Sequence, residues 1–226
     1  FINNDLATYN VKLYDVSSNA NTSPIISSII TSGTTGDRTI VTVDPKTNSE
    51  AYGNNDKSLN DFCKSELRYY NIVLLDCFYI ENAIKVAREA KKLSIPVVID
   101  GGSWKNGIEK LLEFVDVAIC SEKFYPPGLK TSEEVFEYLS SGNCEKIAIT
   151  RGEKPILYKD KNDYDKISVA KIDPVDTLGA GDIFHGAFCF YLLKGNNFAE
   201  ALANAAAVAT ESCKYTGTRK WVSDLI

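Results

Sequence analysis

The sequence predicts an α/β protein with three layers, α/β/α, in which a mostly parallel central sheet is accompanied by a small β lid. Two observations carry this prediction. From Asp56 onward, helical patterns alternate with short and continuously apolar runs, which are typical of parallel strands buried on both faces. Before Asp56, β-branched runs are separated by Ser, Thr, Asn and Gly, and this pattern favours a hairpin.

The N-terminal part is predicted to be rich in β structure. Three β-branched runs, Val11 to Val16, Ile25 to Thr31 and Arg38 to Val43, are separated by turn-forming residues. The second and third runs are predicted to form a β hairpin at about residues 24–44, with the turn signal Gly33 to Asp37 between them.

The rest of the chain is predicted to alternate between helices and strands, which we identify from the period of their apolar residues. The predicted helices are 59–67, 81–93, 107–114, 132–140, 182–193 and 198–213. The predicted strands are 72–75, 97–100, 115–120 and 146–150, followed by an antiparallel edge hairpin of 156–159 and 167–171 around a polar tract.

The composition is that of a globular chain that can bury a sizeable core, with 226 residues of which 44% are hydrophobic. Lys and Arg number 25 against 30 Asp and Glu, with no basic run, so nucleic acid is not an expected partner. No apolar run approaches the length of a membrane span and no signal peptide is visible, so we expect a cytoplasmic protein. Six widely spaced cysteines and a single histidine favour reduced, buried thiols over a metal centre.

The segment Asp176 to Asp182 carries the most specific chemistry, because it joins a β-rich stretch to an apolar helix. The small residues Gly179, Ala180 and Gly181 leave backbone N–H groups bare at the positive end of the helix dipole, which attracts anions. A carboxylate in this position would repel a bound anion, so Asp182 is expected to take a proton beside one. Together these parts indicate phosphoryl transfer to a hydroxyl group.

The pattern Asp-Thr-x-Gly-Ala-Gly-Asp-x-Phe resembles the C-terminal signature of the ribokinase-like (PfkB) family of carbohydrate and nucleoside kinases. The resemblance covers nearly the whole chain from residue 25 onward. It implies ATP and Mg²⁺ as cofactors, a small sugar or sugar-like acceptor, Asp182 as general base, and the amides of Gly179, Ala180 and Gly181 around the transferred phosphate. Some members also bind a monovalent cation such as K⁺; Asp176 belongs to that site by resemblance, although its position equally suits loop capping.

Further candidates fall at the carboxyl ends of predicted strands, where open α/β sheets bind their ligands. Asp100 either contacts the substrate or caps the next segment. Thr150 and Gly152 resemble the family's Thr-x-Gly nucleotide-binding turn, with a plain β-turn as the alternative. Pro155 stands where the family often has a further glycine, so the far side of that turn must differ.

The resemblance also implies that Thr177, Asn204 and Gly217 contact the nucleotide. His185, the single histidine, is expected either to line the cleft or to pack within its helix. Arg38 either clamps an acidic group of the substrate from the lid or is an exposed charge on an edge strand.

The motif that orders Mg²⁺ in the family, Asn-x-x-Glu, is altered here to Ser121 through Phe124. Glu122 either compensates as a metal ligand or is a solvated surface carboxylate. This departure favours a second reading, a catalytically silent ribokinase-like protein that binds a nucleotide or sugar phosphate, whereas the retained Asp182 favours a kinase. A Rossmann dehydrogenase is excluded because no Gly-x-Gly-x-x-Gly follows an early strand.

The family's N-terminal portion is not found in the sequence, which begins at Phe1 and contains no methionine. That portion carries the first strand, an acidic residue that grips sugar hydroxyls, and a Gly-Gly-x-x-x-Asn loop. We therefore expect residues 1–226 to form a single kinase domain that lacks its N-terminal segment. Hairpin lids in this family often pair, so a homodimer through the lid is a further expectation.

Overall fold

The computed structural model describes residues 2–15, 26–31, 38–43, 56–142 and 144–223. Contacts divide the chain into two compact units, one of residues 1–31 and 38–69 and the other of residues 32–37 and 70–226. The first unit contains α1 (Ile2–Thr8), β1 (Ile26–Thr31), β2 (Arg38–Val43), α2 (Asp56–Ser65) and a 3₁₀ turn (Leu67–Tyr69). Strands β1 and β2 pair antiparallel, from Ile26 opposite Val43 to Thr31 opposite Arg38; the other residues of the hairpin predicted at about residues 24–44 lie outside the described residues.

The strand predicted for Val11 to Val16 is wrong over residues 11–15, which have no regular secondary structure; residue 16 lies outside the described residues. Val11 is 49% exposed, so this run has no buried face on which a strand would pack. Lys12 and Tyr14 instead bind the residue that follows α2: Lys12 Nζ lies 3.0 Å from Glu66 Oε2, and the Tyr14 hydroxyl donates to the same carboxylate.

The second unit is built, within the described residues, around a six-stranded sheet whose strand order follows the chain. Four strands run parallel, and the last two continue the sheet as an antiparallel meander. The strands are β3 (Val73–Leu75), β4 (Val97–Gly101), β5 (Val117–Ser121), β6 (Lys146–Arg151), β7 (Lys154–Asp160) and β8 (Asp163–Ile167). The predicted α/β fold with a mostly parallel sheet is confirmed, and the carboxyl ends of β3 to β6 meet at one edge.

The helices of this unit cover the sheet, and two of them begin at capping boxes that the sequence supplies. Thr131 and Glu134 form a capping box at one helix, and Asn197 and Glu200 form another. The helices are α3 (Ile80–Lys92), α4 (Ile108–Leu112), α5 (Ser132–Ser140), α6 (Ala180–Leu193), α7 (Phe198–Ser212) and α8 (Lys220–Ser223). Among the residues that the structure describes, no helix is long and apolar enough to cross a bilayer.

The core fixes the position of α6 against the sheet. Phe188 of α6 is fully buried and packs edge-on against Phe198 of α7, with ring centroids 5.8 Å apart. Both belong to a cluster that includes Val98 of β4 and Ile119 of β5. Burial of one such aromatic side chain contributes on the order of 2–3 kcal/mol, so α6 is held firmly on this face of the sheet.

The edge hairpin is confirmed, but its second strand was placed too late in the chain. β8 covers Asp163–Ile167, where a polar tract was expected, and the segment 168–174 is irregular. The reason is the tight turn after β7: Asp160 pairs with Asp163, and Lys161 takes a positive φ of 56° between them. β8 is an exposed edge strand and can therefore be polar, so it lacks the run of apolar residues by which a strand is recognised in a sequence.

Candidate active site

The turn from Asp176 to Asp182 is held in shape by the first of these carboxylates. Asp176 Oδ1 accepts the N–H of Leu178 at 2.8 Å, and its Oδ2 accepts the N–H of Gly217 at 2.9 Å. The backbone N–H of Asp176 in turn donates to the carbonyl of Cys213 at 3.1 Å. These contacts show loop capping by Asp176; its role at a monovalent cation stays a prediction.

Gly179 forms the N-cap of α6 in the left-handed region, with φ 72°. A Cβ atom at this position would lie 2.8 Å from Thr218 Cγ2 and would be strained by the backbone conformation as well. The chain therefore needs glycine here for two independent reasons, the turn and the close approach of the segment that follows α7.

The N–H groups at the start of α6 are only partly those that the sequence predicted. The N–H of Ala180 donates to the carbonyl of Thr177 at 3.3 Å, so it serves the turn. Within the described part of the chain, the N–H groups of Gly179, Gly181 and Asp182 have no protein acceptor. Unpaired N–H groups at a helix N-terminus are well suited to an anion.

Two carboxylates face this turn. Asp182 lies in the first turn of α6 and is exposed. Asp100 is the penultimate residue of β4 and is partly buried; burial raises its pKa, His185 partly offsets the rise, and the charge of Asp182 adds to it. The carboxylates expected to be the base and the substrate residue therefore lie near enough for the charge of Asp182 to act on Asp100.

His185 is buried, with 5% of its surface exposed, and both ring nitrogens face oxygen atoms. Its Nδ1 lies 2.7 Å from the Gly181 carbonyl oxygen and 3.5 Å from Asp100 Oδ2. Its Nε2 lies 3.2 Å from the carbonyl oxygen of Ile119 in β5. The ring also lines the cavity described next, so both roles considered for this histidine, packing and lining the cleft, are met together.

A cavity of about 260 Å³ opens beside the turn. Thr177, Ala180 and Gly181 line it from the signature turn and the start of α6, and Thr150 and Gly152 line it from the end of β6 and the turn that follows. Its lining is largely apolar and also comes from β7, the irregular segment after β8, α6 and α7: Ile156, Val169, Ile172, Phe184, Ala206 and Ala209. A mostly apolar lining with a few polar groups is the usual character of a small-molecule site.

The turn between β6 and β7 is a tight hairpin as well as part of the cavity wall. Gly152 has φ 61°, and Arg151 pairs with Lys154 across the turn. The guanidinium of Arg151 donates through two nitrogens to the carbonyl of Pro155, at 2.9 and 2.7 Å. The proline that departs from the family pattern thus supplies an acceptor that fixes the far side of the turn.

The segment Ser121 to Phe124 uses its side chains within the protein. Ser121 Oγ donates to the carbonyl of Gly102 at 2.6 Å, and Phe124 is buried beside Trp104, with ring centroids 5.4 Å apart. Glu122 lies 3.6 Å from Lys154 Nζ in an exposed ion pair. Among the described residues no cluster of three or more metal-binding side chains is found.

Asn204 and Gly217, which were predicted to contact the nucleotide, are not among the residues that line the cavity. Asn204 lies about 200° around α7 from Ala206, which does line it. Gly217 supports the signature turn through Asp176 instead of lining the cavity. Arg38 begins β2, in the first compact unit, and its side chain lies outside the described residues.

The sequence did not reveal the wall formed by residues 169–174. Val169, Ile172 and Pro174 line the cavity from a segment that was assigned partly to a strand. The apolar residues were visible, but their irregular spacing has neither the period of a strand nor that of a helix. Pro174, just before the turn, was the one available signal that regular structure ends here.

Fold and site together define an α/β protein in which N–H groups without an acceptor among the described residues, and the Asp182 carboxylate, lie at the start of a helix whose residues Ala180 and Gly181 line a largely apolar cavity. Comparison with known families agrees with this class. The model of the pfkB family of carbohydrate kinases matches residues 1–224, and the chain therefore belongs to this family.

Curated relatives include two ribokinases. The one from Arabidopsis thaliana is 30% identical over 145 residues, which are 56% of this chain and 36% of the relative. The one from Lactococcus lactis is 26% identical over 144 residues, which are 62% of this chain and 46% of the relative. The chain thus spans less than half the length of these relatives.

Solved structures share the fold. An adenosine kinase from Schistosoma mansoni in complex with 2-fluoroadenosine has a TM-score of 0.77 at 17% identity, covering 98% of this chain and 72% of the other. The ribokinase of Arabidopsis thaliana complexed with ribose and ATP has a TM-score of 0.66 at 24% identity, covering 84% and 65%. At these identities the likeness shows the ribokinase-like fold.

Proposed function

We propose that this chain carries the nucleotide and base part of a kinase that transfers a phosphoryl group from ATP to a hydroxyl of a small sugar or related molecule. The observation that carries the proposal is the Asp182 carboxylate at a helix start where three N–H groups have no acceptor in the part of the chain that the structure describes. Family membership supports the reaction type, and the names of the relatives make ribose and adenosine the first acceptors to test.

The cavity suits a nucleotide in one orientation. Its apolar walls, including Val169 and Ala206, would hold the base, and Thr177 with Gly181 would face the phosphates. The N–H groups of Gly179, Gly181 and Asp182 would then donate to the transferred phosphate. Donors aimed at developing charge contribute on the order of 3 kcal/mol each in other enzymes.

The transfer itself needs a proton acceptor. The acceptor hydroxyl loses its proton to the Asp182 carboxylate as its oxygen bonds to the γ-phosphorus, and the bond from that phosphorus to the β,γ-bridging oxygen breaks to leave ADP. A positioned base contributes roughly 10²–10⁴ in rate. Asp100, whose carboxylate lies within the influence of the Asp182 charge, would accept a hydrogen bond from another hydroxyl of the substrate and orient the substrate.

Mg²⁺ accompanies ATP in this family, but the residues expected to order it do not form a metal site here. Ser121 and Phe124 are committed to internal contacts, and Glu122 pairs with Lys154. No step of the proposed reaction is therefore assigned to protein-bound metal.

The test is an ATP-to-ADP assay over a panel of sugars and nucleosides, with Asp182→Asn beside the unaltered protein. We expect kcat to fall by about 10²–10⁴ with the best acceptor, while ATP binding is retained. Asp163→Asn, a change in the exposed edge strand β8, is the matched control and should leave kcat unchanged. An Asp182→Asn rate equal to wild type would show that Asp182 is not the base.

A second candidate is a catalytically silent protein that binds a nucleotide or sugar phosphate. The internal use of Ser121 and Phe124, with no metal cluster in the described residues, favours it. The same experiment separates the two: calorimetric binding of ATP without turnover on any acceptor would support the silent protein, and turnover that depends on Asp182 would support the kinase.

A further inference from the structure

His185 occupies an unusual position for a buried polar side chain, because it joins three parts of the candidate site. It projects from the second turn of α6 and contacts the Gly181 carbonyl in the first turn. It also reaches the backbone of β5 at Ile119 and the carboxylate of Asp100 at the end of β4. The sequence could not predict this, since the three partners come from separate segments.

The ring contacts indicate which ring nitrogen carries a hydrogen. A carbonyl oxygen only accepts hydrogen bonds, so a ring with its hydrogen on Nδ1 donates to the Gly181 oxygen at 2.7 Å. This contact is shorter than the 3.2 Å between Nε2 and the Ile119 oxygen, and the inference below takes Nδ1 as the donor. In a regular helix the same oxygen also accepts the N–H four residues later, so the ring is a second donor to one carbonyl.

The peptide that receives this bond is the one that matters for the proposed reaction. The Gly181 carbonyl and the Asp182 N–H belong to one planar peptide unit and point in opposite directions. Fixing the carbonyl toward His185 therefore directs the Asp182 N–H away from it, and this N–H has no acceptor among the described residues. Glycine at 181 adds no Cβ that would restrict the peptide, so an outside anchor is useful.

We propose that His185 is a positioning residue for the peptide between Gly181 and Asp182. By contacting both the Gly181 carbonyl and the Asp100 carboxylate, it fixes the Asp182 N–H and carboxylate relative to Asp100. The inference rests on the proposed function, because it assigns His185 a role in that phosphoryl transfer. His185 touches neither phosphate nor acceptor in this role, and it acts through the peptide to which it donates.

The experiment compares His185→Asn with His185→Leu. These side chains have the same branching, but only Asn keeps an N–H donor where Nδ1 lies. We expect the Leu variant to lower kcat about 10- to 100-fold, the size expected for misplacing a reacting group, and to change the KM for ATP less than about threefold. The Asn variant should recover most of that loss. Cys189→Ala, one turn further along α6 and buried outside the cavity, controls for general effects of altering the helix.

A second measurement does not require the substrate that accepts the phosphoryl group. The amide resonance of Asp182 in a ¹⁵N-labelled protein should shift on addition of ATP in the wild-type and Asn proteins, and much less in the Leu protein. Equal kcat in the Leu and wild-type proteins, or an Asn variant as slow as the Leu variant, would overturn the inference. If the wild-type protein phosphorylates nothing, the proposed kinase fails on its own, and equal shifts in the Leu and wild-type proteins would overturn the role of His185.

Discussion

The signature turn and the segment Ser121 to Phe124 lie at the carboxyl end of one sheet, yet they use their residues in opposite ways. In the turn, side chains such as Asp176 serve the backbone, and backbone N–H groups are left for a ligand. In the other segment, Ser121 and Phe124 are turned inward and bind or pack within the protein. The difference teaches that two motifs of one resemblance can diverge: in one, backbone N–H groups have no acceptor among the described residues, and in the other, Ser121 and Phe124 make contacts within the protein.

The strongest way to break this contrast is Gly179→Ala. The added Cβ would meet Thr218 Cγ2 at 2.8 Å and would occupy a left-handed residue, so the turn must shift. We expect kcat/KM to fall by about 100-fold or more, as for other misplaced reacting groups.

Gly186→Ala is the matched control for that change. Gly186 lies in the same helix, and a Cβ there meets nothing within 4 Å. It should keep full activity and raise the free energy of unfolding by up to about 1 kcal/mol. A Gly179→Ala protein with wild-type kinetics would contradict the requirement for glycine in the turn.

Phe124→Glu tests the other side by restoring the family's carboxylate. Phe124 is 1% exposed, so an unpaired charge at this position should lower the free energy of unfolding by about 3–5 kcal/mol. Phe124→Leu, which keeps an apolar side chain, should cost about 1 kcal/mol. Urea denaturation measures both, and a Glu variant as stable as wild type would show that this position still tolerates a metal ligand.

The acid limb of the pH profile sharpens the assignment of Asp100. Burial raises the pKa of this carboxyl, so it takes up a proton at a higher pH than an ordinary aspartate. Its ability to accept a substrate hydroxyl, and with it kcat/KM for the acceptor, should therefore fall as the pH is lowered through that window.

Protonation of Asp100 does not itself favour unfolding, because its raised pKa has the opposite effect on stability. The folded state binds this proton more readily than the unfolded chain, so the contribution of Asp100 to stability grows as pH falls. The charges that act on Asp100 also include His185, Asp182, Asp76 and Lys105. The acid limb should change in Asp100→Asn and persist in the Asp163→Asn control.

The smallest effect is expected for Glu122→Gln. Its ion pair with Lys154 is exposed, and such pairs contribute at most about 1 kcal/mol. We expect kcat to change less than about threefold and its dependence on added Mg²⁺ to stay the same. A large loss that is relieved by excess Mg²⁺ would restore Glu122 as a metal ligand and remove the contrast between the two segments.

The regular elements were predictable where local signals agree. The helix predicted for 132–140 is observed as Ser132–Ser140, because a capping box and an amphipathic pattern mark the same start. β4 and β5 were found because buried parallel strands are continuously apolar. β8 was misplaced because its residues are polar and only the turn at Lys161 determines where pairing begins.

The site was predictable only as far as its backbone. The turn and its glycines follow from sequence, but the partner of the Ala180 N–H is a weak local bond that no pattern marks. The apolar wall at Val169 and Ile172, and the meeting of His185 with Ile119, depend on contacts between distant segments. Asn204 was predicted to contact the nucleotide but is not among the cavity residues. Each residue of a helix is rotated by about 100° from the one before it, so a small error in the rotation of a helix changes which side chains face a cavity.

The contact between Asp176 and Gly217 joins residues 41 positions apart. The shape of the signature turn therefore depends on a distant segment, which the sequence of the turn does not indicate. The turn has the shape described here only while the segment after α7 is docked against it. In hydrogen exchange, the amides of Leu178 and Gly217 should therefore open with a common free energy, as members of one cooperative unit. A ligand or partner that displaces the segment after α7 would loosen the signature turn without touching it.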